Sequence, residues 1–177
     1  MFDLPDLLTE YDRARAHTDR LWRDLRPEEV LWRPHQDFSA IGWHLGHQAH
    51  VAHFMVRNLT AAEPSPDPAL DALMDSATPE RDRGGLPVVH RLADFRAAVA
   101  ERVHARMADI AAGRVGAPAQ LDVVARHLMT TVINHEYQHD QWISEVRSRD
   151  LGHSLPEDPG SDLVTRVDGY LMIAEPS

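Results

Sequence analysis

Four long stretches of the chain carry apolar side chains three and four residues apart, and that spacing limits the fold more than any other feature. In residues 6 to 25, "DLLTEYDRARAHTDRLWRDL", the set Leu7, Leu8, Tyr11, Ala14, Thr18, Leu21, Trp22 and Leu25 falls on one side of a helix. Pro27 and Pro34 then bracket a connection. A second helix is expected from a cap at Ser39 to about Leu59, and a third from about His90 to Ala112, ended by Gly113. The fourth runs from about Ala119 to Arg149, with Gly152 beyond it. Residues 60 to 88, with "AEPSPDP" and "RDRGGLP", read as a long loop holding one short helical turn around "ALDALMD". Only "LVTRVDGYLMI", near the terminus, hints at strand alternation. The expectation is an all-α fold, a four-helix bundle with a long crossover loop between helices 2 and 3. Residues 1–155 would form the bundle and 156–177 a C-terminal tail packed on it. A loop that long inside a compact domain is usually functional, which makes it a candidate substrate-facing element.

Composition narrows the chemistry. The chain has no cysteine, so disulfides, thiolate ligands and a cysteine nucleophile are excluded, leaving histidine and carboxylate as metal-binding side chains. All 18 basic residues are arginine, which also excludes a Schiff-base lysine. A net charge of −10 argues against nucleic acid as a partner. No basic amphipathic stretch points to a membrane surface, and no apolar run reaches the ~20 residues of a spanning helix. The N-terminal "MFDLPDLLTEYD" lacks the basic start of a secretory signal, so a cytoplasmic location is expected.

Twelve histidines stand out against this background. In "HEYQHDQW", residues 135 to 142, His135 and His139 are four apart and share one helix face, where two imidazoles can grip one metal. At about 100° per residue, Leu121, Val124, Leu128, Val132, His135, His139, Trp142 and Val146 fall in one sector. The two histidines are thus expected mid-stripe, where a bundle core calls for leucine. Two ligands hold a catalytic metal poorly, so a third is expected from a facing helix. The second helix offers "IGWHLGHQAHVAHF", with His44, His47, His50 and His53 fanned around it by steps of three. His50 points away from the apolar arc and His53 lies at its edge, so both are expected in solvent. His44 and His47 remain, His44 nearer the middle of that arc, so periodicity alone does not choose His47.

The pair of motifs "PHQDFSAIGWHLGH" and "HEYQHDQW" resembles the DinB-like metal-binding four-helix bundle family. Its closest likeness is to the N-terminal domain of ergothioneine-biosynthesis sulfoxide synthases. The resemblance implies a metal triad of one histidine on the second helix and the His-x-x-x-His pair on the last. It selects His47, the last residue of "SAIGWHLGH", with His135 and His139. Further echoes are Arg83 before Gly84, Phe95-Arg96 in place of a helix-opening Tyr-Arg, and "HEYQHDQ", where Gln141 replaces a final acid. The arginine pair that anchors substrate carboxylates in those synthases corresponds to Arg81 and Arg83 at altered spacing. The synthases also carry a second, larger domain that completes their active site.

Three neutral imidazoles leave a divalent ion its full charge and open coordination positions, suited to Fe(II) with a thiol and O2 or to Zn(II) as a Lewis acid. Fe(II) is favoured by the resemblance, with Zn(II) or another divalent metal as the alternative. Glu136 and Asp140 flank the ligands, where a carboxylate can orient an imidazole or take a proton. Arg81 and Arg83 can clamp a substrate carboxylate, and Trp43 and Trp142 serve either as core or as substrate platform. The leading expectation is an oxidoreductase acting on a small thiol or amino-acid-like substrate. A thiol S-transferase, a zinc protease reading of "HEYQH" and a non-catalytic metal-binding bundle are the alternatives. Apolar bundle faces leave room for a homodimer or for a partner chain that supplies the missing half-site.

Overall fold

The computed structural model describes residues 2–60, 62–77 and 85–174. Helix α1 (Leu4–Trp22) starts where the Asp3 side chain accepts a hydrogen bond from the Asp6 amide, and α2 (Pro27–Val30) is a single turn. Then come α3 (Ile41–Val56), α4 (Pro68–Met74), α5 (Val89–Ala111) and α6 (Pro118–Glu145), which runs on into a π-turn at Val146–Asp150. The four expected long helices are present and pack as a bundle, α1 mainly against α6 and α3 against both α5 and α6. The turn around "ALDALMD" is α4, capped by Asp67 through the Leu70 amide. Ser39 does not cap α3; the residue before the helix is Ala40, without a side-chain cap. Among the described residues no helix is long and apolar enough to cross a membrane.

The terminal stretch forms a hairpin, β1 (Val164–Val167) antiparallel to β2 (Tyr170–Ile173). Its two-residue loop, Asp168-Gly169, has positive φ at both positions, the combination that matches the twist of the flanking strands. β2 lies on α6, where the Asn134 side chain accepts the Ile173 amide at 2.7 Å. At the other end of α6, Arg147 is buried and holds both oxygens of Asp24 and the Leu21 carbonyl, tying the π-turn to the end of α1.

The core runs from Leu4, Leu7 and Tyr11 on α1 through Val99, Val103 and Met107 on α5 to Met129 and Ile133 on α6. Two expectations need correction. The buried face of α6 is Ala125, Met129, Val132, Ile133, Glu136, Tyr137, His139, Asp140 and Ile143, so it is rotated from the predicted stripe. Val124 and Trp142 stand at 46% and 36% exposure, and the two histidines lie at the edge of the buried sector, His135 only half-buried. The reason is that Glu136 and Asp140 point inward, where a hydropathy pattern assigns solvent. Secondly, His53 is fully buried and His50 nearly so, because α4 and residues 62–65 cover the side of α3 that was expected to face water. Arg102 donates to His53 Nε2 at 3.2 Å, and His50 meets Asp71 of α4.

Helix α4 docks through Met74, whose side chain fills the space above Gly46 on α3. A Cβ at Gly46 would overlap that side chain. Gly46→Ala is therefore expected to lower stability by about 1–3 kcal/mol through overpacking, read as a lower urea midpoint with an unchanged slope.

Candidate metal centre

The approach of α3 to α6 places His47 opposite His135 and His139. One ring nitrogen from each of the three lies within 4.8 Å of the others. Ring centroids stand 5.2 Å apart for His47 and His135, 5.0 Å for His47 and His139, and 4.4 Å for the pair on α6. The Nε2 atoms of His135 and His139 face each other at 3.1 Å. Two imidazole lone pairs converging in this way repel unless a proton or a cation lies between them, so the donor set fits a divalent ion.

The remaining nitrogens are fixed from outside the triad. His47 Nδ1 lies 2.7 Å from the Met74 carbonyl, which can only accept, so Nδ1 carries the hydrogen and Nε2 the lone pair. His139 Nδ1 lies 2.8 Å from Nδ1 of His44. His44, which periodicity places nearer the middle of the apolar arc than His47, thus serves the second nitrogen of a triad member. Such outer hydrogen bonds set tautomer and ring orientation at metal sites. Burial lowers the pKa of His135 and, more strongly, of His139, where the nearby His44, His135 and His47 act in the same direction. Both rings are neutral at pH 7, as a ligand must be.

Trp43 is buried, stacked on His47 with centroids 4.4 Å apart and planes 13° from parallel, and its indole N–H donates to the Leu73 carbonyl. It packs the triad in place from the core side. Trp142 stands edge-on to His139 at 4.8 Å and lines an open cavity of about 340 Å³ with Phe38 and His44. A second cavity, about 730 Å³, is lined by His47 and His50. Arg81 and Arg83 lie outside the described residues.

Glu136 and Asp140 are buried behind the triad, and their hydrogen bonds run into the bundle rather than to an imidazole. Glu136 Oε1 accepts from Arg96 at 2.7 Å, and Arg96 also binds the Leu45 carbonyl. Thr18 Oγ1 is 2.9 Å from Glu136 and 2.6 Å from Asp140, and Gln48 reaches Asp140 Oδ1 at 3.1 Å. A hydroxyl has one hydrogen to give, so one carboxyl must bring its own proton. Burial, then the charge of Glu136, pushes the Asp140 pKa well up, so of the two carboxyls Asp140 is the one that more readily takes that proton. The expected roles of orienting an imidazole fall instead to Met74 and His44. Arg96 is a buried counter-ion. Its place within the apolar set Leu92, Phe95 and Val99 is the one signal of burial that the sequence carries.

The family model described as DinB superfamily matches residues 10–143, a span that includes all three histidines. No curated protein shows a match to the chain.

Two expectations follow. Arg96→Met strands Glu136 without its counter-ion and should cost about 3–5 kcal/mol in urea unfolding, with much of the loss recovered in the double variant with Glu136→Gln. Acid should also destabilise the metal-free protein. Burial depresses the pKa of His17, to about 4, and of His53. Below about pH 6.5 the unfolded chain then binds more protons than the folded one, so stability falls as pH drops toward 4. Asp140, raised, acts in the opposite sense. Unfolding midpoints between pH 7 and 4.5 should fall less steeply in His17→Asn than in the parent, and equal slopes would refute the assignment.

Proposed function

The chain belongs to the DinB superfamily, and we propose that it is a metal-dependent enzyme that holds a divalent ion with His47, His135 and His139 and acts on a small thiol. The observation that carries this reading is the convergence of three imidazoles from two helices, two of them with their second nitrogen already engaged. A divalent ion in such a set keeps its full charge and supplies Lewis acidity that favours the thiolate form of a bound thiol at neutral pH. The chain's own contribution is to keep the rings neutral, fix their tautomers and seal the core side with Trp43.

Our first assignment is Fe(II) and the O2-dependent oxidation of a thiol or amino-acid-like substrate, on the strength of the motif resemblance to sulfoxide synthases. The donor set itself favours a second reading. Three histidines without a carboxylate ligand are a zinc-type set, which suits transfer of the thiol sulfur to an electrophile. A protease reading of "HEYQH" has lost its base, because Glu136 is buried and held by Arg96.

Protein purified without oxygen should carry about one divalent metal per chain. His47→Ala, His135→Ala and His139→Ala should each lose most of it by elemental analysis while keeping helical circular dichroism. Full metal content in all three variants would defeat the proposal. Thiol-dependent oxygen uptake, with activity lost under anaerobic conditions, marks the iron reading; activity that persists without oxygen marks transfer.

A further inference from the structure

His50 lies one turn beyond His47 on α3, and the two rings run nearly parallel, 22° apart with centroids at 6.0 Å. Its Nδ1 is 2.8 Å from Oδ1 of Asp71 on α4, and both side chains are largely buried, at 13% and 14% exposure. An ionised carboxylate only accepts, so in the neutral ring Nδ1 carries the hydrogen and Nε2 the lone pair. Both histidines line the same cleft of about 730 Å³ between α3, α4 and residues 63–65. The cleft reaches the edge of the centre at His47, a candidate ligand. Its charged lining is Glu63, Asp71 and Asp75 with Arg57, whose guanidinium lies 4.8 Å over the Phe54 ring; Glu63 is paired with Arg106 at 2.7 Å, which leaves Asp71 and Asp75 as the acidic wall on the α4 side.

These observations specify an occupant. A hydrogen-bond acceptor fixed beside a metal ligand is placed to receive a donor from the substrate, and the carboxylates of Asp71 and Asp75 favour that donor as a cation. We propose that the substrate of this centre is an amine-bearing thiol, whose ammonium N–H is received by His50 Nε2 in the α3–α4 cleft while Asp71 holds the imidazole in place. The inference deepens the proposed function and rests on its thiol reading.

Cobalt(II)-loaded protein tests both and separates them, because a thiolate bound to cobalt gives a near-ultraviolet charge-transfer band. Cysteamine, 2-mercaptoethanol and 3-mercaptopropionate are titrated at one pH into the parent and into His50→Leu, Asp71→Ala and Phe38→Ala. Cobalt content and the visible band confirm that each variant keeps the centre. In the parent, cysteamine should bind most tightly and 3-mercaptopropionate most weakly. The preference for cysteamine over 2-mercaptoethanol should fall about tenfold in His50→Leu, as for loss of a hydrogen bond to a charged group, and should fall in Asp71→Ala. It should be unchanged in Phe38→Ala, which alters the other cavity. Should His50→Leu fail to hold cobalt, the same comparison in Asp71→Ala decides. An undiminished preference in His50→Leu, its loss in Phe38→Ala, or tighter binding of 3-mercaptopropionate would each overturn the cleft assignment while leaving the thiol reading intact. No charge-transfer band with any thiol would remove the thiol reading, and this inference with it.

Discussion

The buried ion pair between Arg96 and Glu136 decides where everything else in the centre points. Each triad histidine on α6 is followed directly by an acid, His135 by Glu136 and His139 by Asp140. On a helix, neighbours in sequence are turned by about 100°, so drawing the acids inward swings the histidines to the rim of the core. Arg96 from α5, Thr18 from α1 and Gln48 from α3 meet the two carboxyls, and each of the four long helices contributes to one connected polar cluster. Such a pair adds little net stability over a well-packed apolar core, since both charges give up water. What it contributes is register: an apolar interface tolerates a helix slipped or rotated slightly, and a bonded arginine does not.

Much of the architecture is legible in the sequence because amphipathic helices announce themselves by period. The end of α5 follows from Gly113 and the apolar spacing, and α4 from the short helical turn around "ALDALMD". The rotation of α6 is not legible. Hydropathy patterns give charged residues to solvent, and nothing local to Glu136 says that an arginine forty residues earlier waits for it inside the bundle. The same blindness affects His50 and His53, because the cover that α4 and residues 62–65 provide for α3 is a tertiary fact.

The choice between His44 and His47 shows a subtler limit. Periodicity ranks His44 as the more inward of the two, and it does face the centre, but from the far side of His139. A helix face cannot distinguish a ligand from the partner of a ligand, since both need the same direction and differ by one ring width. The motif resemblance supplies what the wheel cannot. The acids beside the triad suggest chemistry by their position in sequence, yet the buried Asp140 and salt-bridged Glu136 serve its alignment.

The short helix α4 carries a consequence of its own. Seven residues long, it provides the carbonyl that steers His47, through Met74, and one wall of the cleft, through Asp71. Wall and tiller are therefore one rigid piece, a single turn apart. A molecule that wedges into the cleft and nudges that piece must also twist the imidazole at its far end, so occupancy and donor orientation are geared together without any hinge elsewhere in the bundle.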